Sequence, residues 1–120
     1  MDRNYMLVGI EANDTYHRIL NDALPGDNFI IADEDSALEH LRNYAIDGVI
    51  IFVSRLSEPV KMVKELKKTK EYVPIILISP LPSTREMVEA IRAGALDYLP
   101  KSEQSDQLRR DLLKVSFIQE

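Results

Sequence analysis

Short apolar runs alternate with amphipathic stretches along the chain, and that alternation leaves few folds open. The runs are Tyr5-Met6-Leu7-Val8-Gly9-Ile10, Phe29-Ile30-Ile31-Ala32, Gly48-Val49-Ile50-Ile51-Phe52-Val53, Pro74-Ile75-Ile76-Leu77-Ile78-Ser79 and Leu96-Asp97-Tyr98-Leu99. Each has the length of a strand, and the unbroken fourth run suits a strand covered on both faces. Helical spacing fills the intervals. Residues 14–24 start at Asn13 or Asp14 as cap and turn Ile19, Leu20, Ala23 and Leu24 inward. Residues 34–46 do the same with Ala37, Leu38, Leu41 and Ala45. A third helix begins near Ser57-Glu58-Pro59, where proline fits the first turn, and buries Val60, Val63 and Leu66 before ending near Lys70. Ser83-Thr84-Arg85-Glu86 forms a capping box in front of Val88, Ala90, Ile91 and Ala95, and Gly94 supplies the stop. Leu108, Leu112 and Val115 stripe a last helix. Five strands alternating with five helices predict one doubly wound α/β domain over residues 1–120, with a parallel sheet between two helical layers.

Composition narrows the function. The 120 residues include no cysteine, which removes disulfides, thiolate metal sites and cysteine nucleophiles. No apolar stretch approaches a membrane span, and the N-terminus has no signal-peptide layout, so a cytoplasmic chain without membrane attachment is expected. A net charge of −5 argues against nucleic-acid binding by this domain alone. Lys61, Lys64, Lys67 and Lys68 stripe the third helix, but Glu58 and Glu65 interleave with them, as on a solvated face. His17 and His40 lack ligand spacing, and no metal is expected.

The segment Ala90-Ile91-Arg92-Ala93-Gly94-Ala95-Leu96-Asp97-Tyr98-Leu99-Pro100-Lys101 resembles the end of a receiver (CheY-like) domain of two-component response regulators. In that family the fourth strand ends in Ser or Thr. A lysine follows about 22 residues later, just past an aromatic on the fifth strand; here Ser79, Tyr98 and Lys101 occupy those places. The resemblance implies a flavodoxin-like five-stranded sheet of order 2-1-3-4-5. Its pocket would lie beyond the strands' carboxyl ends and be lined by Glu11, Ala12, Phe52, Ser79 and Lys101.

The chain departs from the family where the chemistry sits. Receivers carry an acidic pair after the first strand, the second member of which ligates Mg²⁺; here the pair is Glu11-Ala12. The third strand of a receiver ends in the aspartate that takes the phosphoryl group; here it ends in Phe52. Phosphoryl transfer needs a nucleophilic oxygen and a divalent ion. Pro80 replaces a small residue that lets phosphate approach, and Arg55-Leu56-Ser57-Glu58 replaces the usual loop with Pro and Gly. Lys101 is followed by Ser102 instead of the family's usual proline. The expectation is a degenerate pseudo-receiver, neither enzyme nor cofactor protein, in which Phe52 packs over Lys101 and the ammonium pairs with Glu11. It would act as a regulatory protein-interaction or dimerisation module. The fourth helix, fifth strand and fifth helix would form its face, bordered by Arg92, Asp97, Tyr98, Arg109 and Arg110, with the Tyr98 hydroxyl in water. The alternatives are phosphorylation at an unusual site and a small-ligand sensor built on the pocket. The family also implies that a DNA-binding output domain could follow residue 120.

Overall fold

A computed structural model of the chain describes residues 3–10, 14–54, 58–101 and 110. Its elements run β1 (Asn4–Val8), α1 (Thr15–Ala23), β2 (Asn28–Ala32), α2 (Ala37–Asn43), β3 (Gly48–Phe52), α3 (Pro59–Thr69), β4 (Ile75–Ser79), α4 (Thr84–Ala93) and β5 (Asp97–Pro100). The five strands form one sheet in the order β2-β1-β3-β4-β5, and every pair is parallel. This is the expected doubly wound topology. The last predicted helix falls outside the described residues.

Strand alternation divides the core. Met6, Val8, Val49, Ile51, Ile75 and Leu77 face one layer, where Leu41, Val63 and Leu66 meet them from α2 and α3. Tyr5, Leu7, Ile50, Ile76 and Ile78 point the other way, onto Tyr16 and Leu20 of α1. Successive strand residues project to opposite faces, so central strands covered on both sides must be apolar throughout. That accounts for the unbroken burial of Ile75–Ser79.

Local chemistry sets the boundaries. β1 stops at Val8 because Gly9 turns into the left-handed region at φ 82°, two residues short of the expected end. α2 is shorter than its periodicity suggests. The Asp33 carboxylate accepts from the Ser36 amide at 2.8 Å and holds residues 33–36 in a turn. Ala45, expected inward, lies past the helix and is exposed. Gly94 takes the left-handed cap after α4 at φ 116°, as its position predicted.

Gly9 also sits close against the end of β3. A Cβ built there would lie 2.9 Å from the Phe52 carbonyl oxygen, a contact ordinary side chains do not make. Gly9→Ala should therefore lose about 2 kcal/mol, combining positive-φ strain with that clash. Urea unfolding would read this as a lower midpoint with an unchanged slope.

Candidate functional site

In a sheet of this order the crevice lies outside the carboxyl ends of the central strands. Gly9 brings β1's exit against the end of β3, and Phe52 closes β3 there, half-buried. Its ring meets Tyr16 edge to face, with centroids 5.7 Å apart and planes at 69°. Aromatic pairs prefer this geometry, which sets a positive ring edge against a negative face. Tyr16 is held in the first turn of α1 because Asp14 caps the helix, its carboxylate accepting from the Tyr16 amide at 2.9 Å. The Lys101 ammonium stands 5.4 Å from the centroid of the same Tyr16 ring, within cation–π range. The Lys101 amide donates to the Ser79 carbonyl at 2.7 Å, which fixes where the lysine leaves β5.

Among the expected pocket residues, the structure thus gathers Phe52 and Lys101 around Tyr16 and places Ser79 beside them on β4. Tyr16 was missed in the sequence, where an aromatic in a first helical turn reads as ordinary core. The Lys101 ammonium, whose stem was expected under Phe52, stands over the Tyr16 ring. Glu11 and Ala12 lie outside the described residues, and with them the expected Lys101–Glu11 pair.

Among the described residues, the groups gathered here do not fit a receiver's magnesium. Mg²⁺ demands a near-octahedral set of oxygens, supplied through carboxylates and waters. The position facing β1's exit carries an apolar ring, and the nearby cation is already placed over the second ring. Ser79 is buried, and its hydroxyl accepts from the Leu81 amide at 3.3 Å.

A second cluster adjoins the first. Tyr98 is 6% exposed, and its hydroxyl, expected in water, is engaged by protein groups. It donates to the Glu86 carboxylate at 2.7 Å and accepts from the Ser83 amide at 3.4 Å. The capping box is therefore half formed. The Ser83 hydroxyl accepts from the Glu86 amide at 3.3 Å as expected. The return arm is different, because the Tyr98 hydroxyl stands between the Ser83 amide and Glu86. Burial raises the Tyr98 pKa above its ordinary value; a hydrogen bond with Ser79 opposes that shift and one with Glu86 adds to it.

On the outer side of α4, Met87, Val88 and Ile91 are 38%, 39% and 44% exposed. Of the apolar residues that follow the capping box within this helix, Ala90 is buried while Val88 and Ile91 are exposed. Arg92 is exposed and Asp97 half-buried on the same side of the sheet order, while Arg110 is exposed and Arg109 lies outside the described residues.

No family model matches the chain. It is 30% identical over 116 residues to the transcriptional regulatory protein ZraR of Escherichia coli K12, across 92% of this chain and 26% of that protein. It is 36% identical over 80 residues to ZraR of Salmonella typhimurium, across 65% of this chain and 18% of that protein. The chain thus spans about a quarter, or less, of the length of these curated relatives. A CheY-like response regulator receiver domain protein from Methanospirillum hungatei superposes with a TM-score of 0.83 at 17% identity, covering 99% of this chain and 97% of that one. A response regulator from Thermotoga maritima gives 0.81 at 23% identity, covering 96% and 98%. The fold is the flavodoxin-like CheY fold.

The Tyr98 cluster has a pH signature. Below the ordinary phenol value of 10.0, folded and unfolded chains both keep the proton. Above it the unfolded chain gives the proton up first, so this contribution to stability fades as pH rises toward the folded-state value. Tyr98→Phe should lower stability by about 1 kcal/mol at neutral pH, and the gap should close in alkali. Denaturant midpoints of both proteins across that pH range check the expectation.

Proposed function

We propose that this chain, a response-regulator receiver (CheY-like) domain by fold, works independently of phosphorylation. It serves as a regulatory protein-interaction or dimerisation module in cytoplasmic two-component signalling and transcription control, without enzymatic activity or a cofactor. The observation that carries this reading is Phe52 at the end of β3, packed edge-on to Tyr16 with Lys101 over that second ring. An acceptor must offer a nucleophilic oxygen with a cation to spread developing charge. Phe52 offers none, and Lys101 is placed on a ring where a phosphoryl group would need it. Ser79, the residue best matched to a phosphate-sensing hydroxyl, is buried and held by the Leu81 amide.

The output is a fixed surface. Tyr98 is tied to Glu86 and Ser83, so the aromatic that borders α4 is held in one inward position. Beside it, α4 exposes Met87, Val88 and Ile91 at i, i+1 and i+4, with Leu96 at 39% exposure nearby in sequence. Arg92 and Asp97 supply charges of opposite sign on this side. Such a face can bury itself against a second copy, each apolar ridge covering the other in a two-fold arrangement. The relatives' length supports a further reading, that the chain is one part of a longer transcriptional regulator.

No helix among the described residues is long and apolar enough to cross a membrane. Incubation with acetyl phosphate and magnesium should leave the intact mass unchanged. A stoichiometric phosphoryl adduct would overturn the reading in favour of an unusual acceptor. Light scattering should give a dimer for the natural chain and a monomer for the Val88→Glu, Ile91→Glu variant with an unchanged fold. Equal masses for the two would remove α4 from the interface.

A further inference from the structure

The other end of the helical layer carries a feature that neither the pocket nor the outer face of α4 uses. A groove of about 500 Å³ runs between the C-terminal ends of α3 and α4, lined by Lys64, Lys67, Lys68, Glu71 and Ala93. It lies by the connections that enter β4 and β5, opposite the carboxyl ends of the strands. We infer that this groove docks an acidic segment of a protein partner, its carboxylates met by Lys64 and Lys68.

The floor of the groove is built. The Lys67 ammonium donates to the carbonyls of Glu71 at 3.1 Å and Val73 at 2.8 Å, fixing the turn that follows α3. Its alkyl stem lies against Gly94, where an added Cβ would sit 3.2 Å from Lys67 Cε and Cγ. Partial burial lowers the Lys67 pKa, with Glu71 working the other way. Lys67 is therefore a positioned positive charge, short of water and spent on backbone carbonyls. A carboxylate near it restores favourable surroundings to the ammonium.

Lys64 and Lys68 stand above that floor at i and i+4, both exposed. Lys61 pairs with Glu58 at 3.7 Å, whereas Lys64 and Lys68 have no hydrogen bond or ion pair with another described residue. Like charges at this spacing repel, a small cost that a bound anion reverses. Residues 61–70 hold five lysines against one glutamate in a chain whose net charge is −5, so the positive charge is concentrated here. Tyr72, 89% exposed, follows Glu71 directly and offers an uncovered ring next to the groove.

Charge complementarity also decides the class of partner. A nucleic acid carries closely spaced phosphates along its length, and beyond this helix end it would meet a predominantly acidic protein. Glu71 lies in the groove itself. A peptide sets its carboxylates apart and can place them on Lys64 and Lys68 alone.

The inference does not depend on the phosphorylation-independent reading, because the two sites share no residue. Its test is an amide-shift titration of the labelled protein with a short glutamate-rich peptide at physiological ionic strength. A lysine-rich peptide and a single-stranded oligonucleotide serve as comparisons. Saturable shifts at Lys64, Lys68, Glu71 and Tyr72 with the acidic peptide are expected. The Lys64→Glu, Lys68→Glu variant should weaken binding by roughly tenfold or more while keeping the spectrum of a folded domain. Absence of saturable shifts, or equal affinity in the charge-reversed variant, overturns the inference. Tighter binding of the oligonucleotide overturns it in favour of a nucleic-acid site. If the variant proves unfolded, Lys64→Gln, Lys68→Gln gives the same comparison with charge removal alone.

Discussion

The contact between Phe52 and Tyr16 governs what the carboxyl end of this sheet can do. An aromatic pair at 5.7 Å brings ring surface to the place where a doubly wound sheet normally presents polar groups to a ligand. The contact is supported from both sides. Gly9 permits β1 to close on the Phe52 carbonyl, and Asp14 caps α1 so that Tyr16 meets the ring. Lys101 then gains a negative ring face as its neighbour, with its ammonium 5.4 Å from the Tyr16 ring centroid. Each choice is small, but together they bring two rings and a cation into contact among the described residues of the site.

The second consequence concerns rigidity. Where a hydroxyl could respond to a bound anion, Ser79 is buried and bonded to the turn that follows it. Tyr98 joins β5 to the first turn of α4 through Glu86 and the Ser83 amide. A polar group in that half-enclosed position is costly to leave without partners, so the cluster favours one arrangement over many. On the proposed reading, a partner would meet the surface beside it as a constant feature. Regulation of such a module would come from who binds it and how much of it is present.

Much of the fold was legible because its physics is local. Apolar runs such as Ile75-Ile76-Leu77-Ile78 announce strands with both faces covered, and Gly94 and Ser83 mark the ends of α4 by their own chemistry. The end of β3 at Phe52 was nearly legible too, because the apolar run that begins at Gly48 stops one residue later. Helix faces were harder. Val88 and Ile91 follow the same periodicity as buried residues, and spacing alone does not separate a face turned to the sheet from an apolar face left outside. Tyr16 escaped notice because its role depends on Phe52, which is distant in sequence. Glu86 was assigned to the capping box, a local motif; its real partner is the hydroxyl of Tyr98, which only the tertiary fold brings near. Glu11, Ala12 and the expected last helix lie outside the described residues.

The proposed independence from phosphorylation rests on ring packing where a receiver's phosphoryl chemistry would be. Proton–proton contacts between the Phe52 and Tyr16 rings, recorded by NMR before and after adding magnesium with beryllofluoride, test it most directly. The ring contacts should persist, and the amides of Gly9, Val53 and Ser79 should not move. Loss of the ring contacts with saturable shifts at those three amides would contradict it.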